Sequence, residues 1–256
     1  MKHLKFKSWN EDLNVSGMRV KKPIRVGDRI QVVYSDDRWN LLRLLRSKAM
    51  RIMKVLNAAG LPAIVHGSVA RGDVTKESDI DVFIPLNVPS YKVELALEQA
   101  GFKIYARMIT QATPWHVIKG HIYLDELTII TFPLTRMTKL EREFYRFGGE
   151  LTLDELKRDI RVPGVDKRLM MIEPRPYGHD EWPIIGREHE VAKILKVSID
   201  IVKERVYVLT RRDEVGRTGV FLKELLLPEE SFEEALERIA RDKPQVKKKL
   251  REAEPV

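Results

Sequence analysis

Two aspartates stand two residues apart at Asp79 and Asp81, and a Gly67-Ser68 pair precedes them, with Ser68 eleven residues before Asp79. The segment Ile64–Ile84 reads IVHGSVARGDVTKESDIDVFI. Side chains at i and i+2 of a strand share a face, so Asp79 and Asp81 project together while Ile80 and Val82 turn to the opposite side. Two carboxylates held side by side repel each other. A divalent cation between them relieves that repulsion. Mg²⁺, or Mn²⁺ in its place, suits carboxylate oxygens and keeps positions open for phosphate oxygens. A strand that runs into Gly67-Ser68 exposes backbone N–H groups at a point where glycine permits close approach, which suits a polyphosphate. Arg71, four residues after Gly67, is placed to pair with phosphate oxygens bidentately. An isolated Asp-Ile-Asp is ordinarily a solvated strand edge; the glycine-serine turn at this spacing is what gives the pair a chemical reading.

The elements that must hold these residues follow from periodicity. IRVGDRIQVVYS reads as one or two strands with Gly27-Asp28 at a turn. Ser35 and Asp36 are placed to cap a long amphipathic helix that ends at Gly60, its apolar stripe running through Leu41, Leu45, Ala49, Ile52 and Leu56. A strand over Ala63–His66, the glycine turn, a second strand over Asp79–Pro85, a helix near Tyr91–Ala100 and a strand over Phe102–Thr110 follow. Two more strands flank Asp125-Glu126, and helical pieces fall at 137–147 and 152–160. Pro163, Pro174, Pro176 and Pro183, with several glycines, predict an extended linker. Beyond it, Glu188–Leu195 and Ile199–Leu209 have helix-turn-helix spacing, and VGRTGVFLKELLL stands where a wing would follow. An amphipathic helix over Ser231–Ala240 and a basic tail close the chain. The divisions are therefore 1–165, a linker at 166–187, and 188–256.

Composition excludes several classes. Among 256 residues there is no cysteine, so neither disulfides nor a Cys-based zinc site is available. No apolar run is long enough to span a bilayer, and the start, MKHLKFKSWNED, lacks the apolar stretch of a secretory signal, so a cytoplasmic location is expected. Asparagine and glutamine are scarce beside abundant Lys, Arg and Glu, the composition of a heat-adapted protein. The net charge of +8 is uneven: residues 1–60 hold 14 Lys/Arg against 5 Asp/Glu, and the rest of the chain is close to neutral. Such a local excess is an electrostatic footprint for phosphates or a solvated surface. Arg43, Arg46 and Arg51 on the long helix, and Arg211 and Arg212 with Arg217 near the end of the second C-terminal helix, are the candidate nucleic-acid contacts.

The Gly67-Ser68 turn and the Asp79-Ile80-Asp81 strand resemble the signature of the DNA polymerase β-type nucleotidyltransferase superfamily. GSVARG and SDIDVFI are most similar to its small "minimal" members. The whole chain also resembles a group of archaeal proteins known only as predicted nucleotidyltransferases. The resemblance implies an α/β (α+β) mixed-sheet domain, followed here by a small winged-helix-like unit. It implies that Asp79 and Asp81 ligate Mg²⁺, that Gly67 and Ser68 hold the NTP phosphates, and that a nucleoside monophosphate passes to a hydroxyl with release of pyrophosphate. RNA is the expected acceptor, given the basic N-terminal region. AMP transfer to a protein side chain is one alternative; a non-catalytic nucleotide sensor that binds nucleic acid is the other. Family members usually carry a third carboxylate on a neighbouring strand. Asp125 is the candidate for catalysis and metal binding if HIYLDE is that strand. Thr128 takes the position, and the acid is missing, if LTIITF is. Glu126 is a further candidate, and a hairpin turn explains both acids without catalysis.

Overall fold

The computed structural model describes residues 22–216 and 219–252. The first 21 residues, Arg217, Thr218 and the last four residues of the tail lie outside them. A short strand, β1 (Ile30–Val33), precedes the long helix α1 (Asp36–Ala58), whose first turn is capped by the Ser35 hydroxyl accepting from Arg38 N. Leu42, Arg46, Ala49, Met53 and Leu56 are buried at three- and four-residue steps, with Ile52 beside Met53, so one face of α1 is driven into the core. The chain continues through β2 (Ile64–His66), the single-turn helix α2 (Ser68–Arg71), β3 (Ile80–Phe83) and α3 (Ser90–Gln99). Then come β4 (Ala106–Gln111), β5 (Lys119–Asp125), β6 (Thr128–Pro133), α4 (Lys139–Phe147), β7 (Glu150–Thr152) and α5 (Leu153–Lys157).

The last third holds β8 (Gly164–Val165), β9 (Met170–Arg175), β10 (Gly178–Pro183), α6 (Glu188–Leu195), α7 (Ile199–Val215), β11 (Leu222–Leu225), α8 (Phe232–Asp242) and α9 (Pro244–Arg251). Two sheets result. The larger has the order β11-β4-β5-β6-β3-β2-β7, with β3 and β6 parallel and its other neighbours antiparallel. The smaller has the order β1-β10-β9-β8.

One face of the larger sheet supplies Ile80, Val82, Ile122, Ile130 and Phe132 to the core shared with α1, α3 and α8. Phe132 meets Phe232 of α8 edge to face at 5.2 Å. A second core, around the fully buried Trp182, joins the smaller sheet to α6 and α7.

The mixed α/β architecture agrees with the sequence; the expected division of its last third does not. The span 166–187 is a hairpin rather than a linker. Its prolines fit because β8 is only two residues long and stops short of Pro174, and Pro183 ends β10. The expected wing is β11, which adds to the edge of the larger sheet through Leu222↔Gln111. The helix after it packs into the first core, so 188–256 is not a separate winged-helix unit among the described residues. No helix among them is long and apolar enough to cross a membrane.

Candidate functional site

Strand β2 carries the chain out of the sheet at Gly67, whose φ of 77° lies in the left-handed region that glycine alone adopts without strain. The Gly67 N–H donates to Gly149 O at 2.9 Å, and α2 starts at once, with Ala70 N and Arg71 N both returning to Gly67 O. The first amides of that turn, at Ser68 and Val69, have no partner inside so short a helix. The Ser68 hydroxyl lies 3.2 Å from Ser78 Oγ, which also accepts from Thr75 N. The two ends of the spacer are thereby tied together directly before Asp79.

Strand β3 lies beside β2, with Asp81 opposite His66, and beside β6, with Asp81 opposite Ile129. Ile80 and Val82 are buried in the core, so Asp81 occupies the other face of the sheet, the one on which Tyr145 of α4 packs, and Asp79 enters the strand from the same side. Both carboxylates are half-buried. Burial first, then the Asp79 charge, pushes the Asp81 carboxyl up to about 7, with Lys167 acting in the opposite direction. His66 packs edge-on against Tyr145 at 4.8 Å, and Tyr145 stacks on Phe83 at 3.6 Å. Burial, reinforced by Lys119 and Arg71, brings the His66 imidazole down to about 3, so it stays neutral beside Asp81.

This pair suits a divalent cation: two oxygen-donor side chains share one place, and among the described residues Lys167 is the cation that offsets their charge at Asp81. The third acid does not join them. The β5–β6 register shifts between Tyr123 and Asp125, which puts Asp125 on the far side of the sheet. There its carboxylate meets Lys48 of α1 at 2.6 Å and accepts from Leu127 N at 3.0 Å, as hairpin-turn chemistry requires. Those bonds hold it below the usual carboxylate range despite partial burial. Thr128 faces the core, and Ile129 is the β6 residue beside Asp81. No group of three or more potential metal-ligating side chains forms among the described residues.

Two arginines have roles other than those expected. Arg71 is buried. Its guanidinium clasps Asp73 through Nε at 3.0 Å and Nη2 at 2.9 Å, and donates from Nη1 to Gly148 O at 2.6 Å. It braces the turn and has little left to offer a phosphate. Arg46 is also buried, and donates to Val69 O at 3.1 Å and Ala70 O at 3.0 Å, so it fastens α1 to α2. Arg43 and Arg51 remain exposed on α1, the second lying 5.0 Å over the Phe102 ring. Arg211 and Arg212 are exposed on α7, where Arg211 bonds Tyr207 Oη at 2.9 Å. Lys167 had no motif to announce it: it sits in the turn after β8, inside the span expected to be a linker, and only the fold brings it to Asp81.

Residues 47–146 match the family model described as a nucleotidyltransferase domain. That span contains Gly67, Ser68, Asp79 and Asp81 and ends within α4. No curated protein and no solved structure matches the chain.

Proposed function

From the premise that this chain carries a nucleotidyltransferase domain and is an enzyme that transfers nucleotidyl groups, we propose that it moves a nucleoside monophosphate from an NTP to a hydroxyl of RNA. The observation that carries the site assignment is that Asp79 and Asp81 lie on one side of β3, next to the turn that Gly67 and Ser68 form. The acceptor hydroxyl oxygen bonds to the α-phosphorus and releases its proton to solvent, the bond from that phosphorus to the bridging α–β oxygen breaks, and pyrophosphate leaves with the electron pair.

Asp79 and Asp81 would hold Mg²⁺, which supplies neutralisation of the triphosphate and a more acidic attacking hydroxyl. Gly67 and the amides of Ser68 and Val69 receive phosphate oxygens, with the left-handed backbone of Gly67 letting the ligand approach the main chain. Arg46 and Arg71 keep that turn rigid through three bonds to backbone carbonyls and the Arg71–Asp73 pair, so binding need not order it. Neutral His66 keeps a competing charge away from Asp81. The uneven charge of the chain supports an RNA acceptor, with Arg43 and Arg51 as exposed contacts and Arg211 and Arg212 as a second pair. The cysteine-free composition supports a cytoplasmic setting.

The test is incubation of the pure protein with each labelled NTP, Mg²⁺ and either total RNA or a protein extract. Label entering RNA from one NTP supports the proposal. Label entering only protein would replace the acceptor, and no label in either would overturn the transfer reading.

A further inference from the structure

The bend at Gly148-Gly149 is shared by two structures. On one side it receives the phosphate turn, through Arg71 Nη1 to Gly148 O at 2.6 Å and Gly67 N to Gly149 O at 2.9 Å. On the other side it receives β8. A Cβ at Gly164 would lie 2.6 Å from Gly148 C and 2.6 Å from Gly149 N, so only glycine lets β8 lie so close. Val162 N, just before β8, donates to Ala70 O of the turn itself at 3.4 Å. The four-residue connection from β8 to β9 is thus anchored to the Gly67–Arg71 turn through the backbone.

That connection is internally braced as well. The Asp166 carboxylate accepts from Arg168 N at 2.8 Å and Met170 N at 3.1 Å, and pairs with Arg168 Nε at 2.6 Å. Arg168 also pairs with Glu181 of β10. Leu169, at a φ of 60°, is fully buried. Between these fixed residues Lys167 is exposed and bonds to no acceptor among the described residues. The backbone contacts of Val162 and Gly164 bring its connection up to the Gly67–Arg71 turn, and its charge acts on both Asp81 and His66 beside that turn. The other nearby cations are committed: Arg71 to Asp73 and Gly148 O, Arg142 to Glu150, and Lys119 to Tyr145 Oη at 3.0 Å.

We propose that Lys167 contacts the substrate, its ammonium binding the β- and γ-phosphate oxygens of the NTP seated on the Gly67-Ser68 turn. The proposal rests on the NTP reading above and deepens it. The second sheet thereby completes the nucleotide site instead of standing apart from it. A lysine in a rigid turn, rather than an arginine, gives a compact charge that can follow pyrophosphate as it departs.

The test is equilibrium binding of a non-hydrolysable NTP analogue and of the matching nucleoside monophosphate, with Mg²⁺, to wild-type protein, Lys167→Ala and Lys167→Arg. Lys167→Ala should weaken triphosphate binding by roughly 10- to 100-fold, the range for a charge-assisted hydrogen bond, and leave monophosphate binding unchanged. Lys167→Arg should recover part of the loss. Because the side chain is exposed, both variants should melt with the wild-type protein. Unchanged triphosphate affinity in Lys167→Ala, or an equal loss for the monophosphate, overturns the role of Lys167 and leaves the Asp79–Asp81 site standing. If the wild-type protein binds no NTP at all, the NTP reading itself fails, and Lys167 with it.

Discussion

The molecule holds two groups of acids in its sheets, and they are treated in opposite ways. In the smaller sheet Asp180 and Glu181 are buried, and each is matched: Asp180 by Tyr177 and Arg175, Glu181 by His179 and Arg168. Hydrogen bonds from His179 and Arg168 hold Glu181 down to about 2, and Tyr177 and Arg175 likewise lower Asp180. In the larger sheet burial, and then the neighbouring Asp79, push the Asp81 carboxyl up, with Lys167 acting the other way. The same residue type is structural where its charge is answered inside the fold. On the reading proposed above, it is functional where the fold leaves the answer to something that binds.

This contrast can be broken in order of expected effect. Asp79→Asn with Asp81→Asn should lower NTP incorporation by about a thousandfold or more, since the pair is the charge centre of the reaction. Its melting temperature should be equal to or above that of wild type, because the change removes a repulsion. A fall in melting temperature would make these acids structural. Arg71→Met leaves Asp73 buried without its partner and should cost about 3–5 kcal/mol in denaturant unfolding. A loss confined to NTP affinity, with stability intact, would return Arg71 to the phosphate-binding role that the sequence suggests.

Glu181→Gln should cost about 1.5–3 kcal/mol at pH 7. The pH dependence has a definite sign. A carboxyl held low in the folded state contributes above its ordinary value near 4.5, and that contribution is lost as pH falls toward 2. The cost of Glu181→Gln should therefore shrink across that window, and a constant cost would show that packing alone is involved. Charge reversal of Arg43 and Arg51 should weaken RNA binding and lower its salt slope by about 2. An unchanged slope would move the acceptor elsewhere. Smallest of all, Asp125→Asn should leave incorporation within about twofold of wild type, because a single exposed pair with Lys48 is what it disturbs. A larger loss would place Asp125 in the reaction after all.

The strand, glycine turn and Asp-Ile-Asp were legible because each rests on a local rule: period-two alternation, a left-handed glycine and a fixed spacer. The long helix was legible for the same reason, and its observed end at Ala58 lies two residues before the expected one. What the sequence could not show was where a side chain looks once strands pair. Asp125 depended on a register shift of one residue, invisible in HIYLDELTII. Arg46 and Arg71 have the same long cationic side chains as Arg43 and Arg51, and only packing decides which bond to carbonyls and which face solvent. The prolines of 163–183 suggested a linker because their usual meaning is exclusion from sheets, yet a two-residue neighbour leaves room for one. Lys167 was hidden behind that same misreading.

The pairing of β11 with β4 carries a consequence for how this chain comes into being. Leu222 sits beside Gln111, so the outermost strand of the larger sheet is laid down after everything between them has been synthesised. Until then β4 presents an open edge to the cell, with the apolar surface that α8 later covers still bare. Contacts of such long sequence separation form slowly. A growing chain therefore passes through an interval in which the strands that flank Gly67 and carry Asp81 are already paired but its flank invites a neighbouring chain. A version ending near residue 216 would remain in that interval and should aggregate more readily on warming than the full chain.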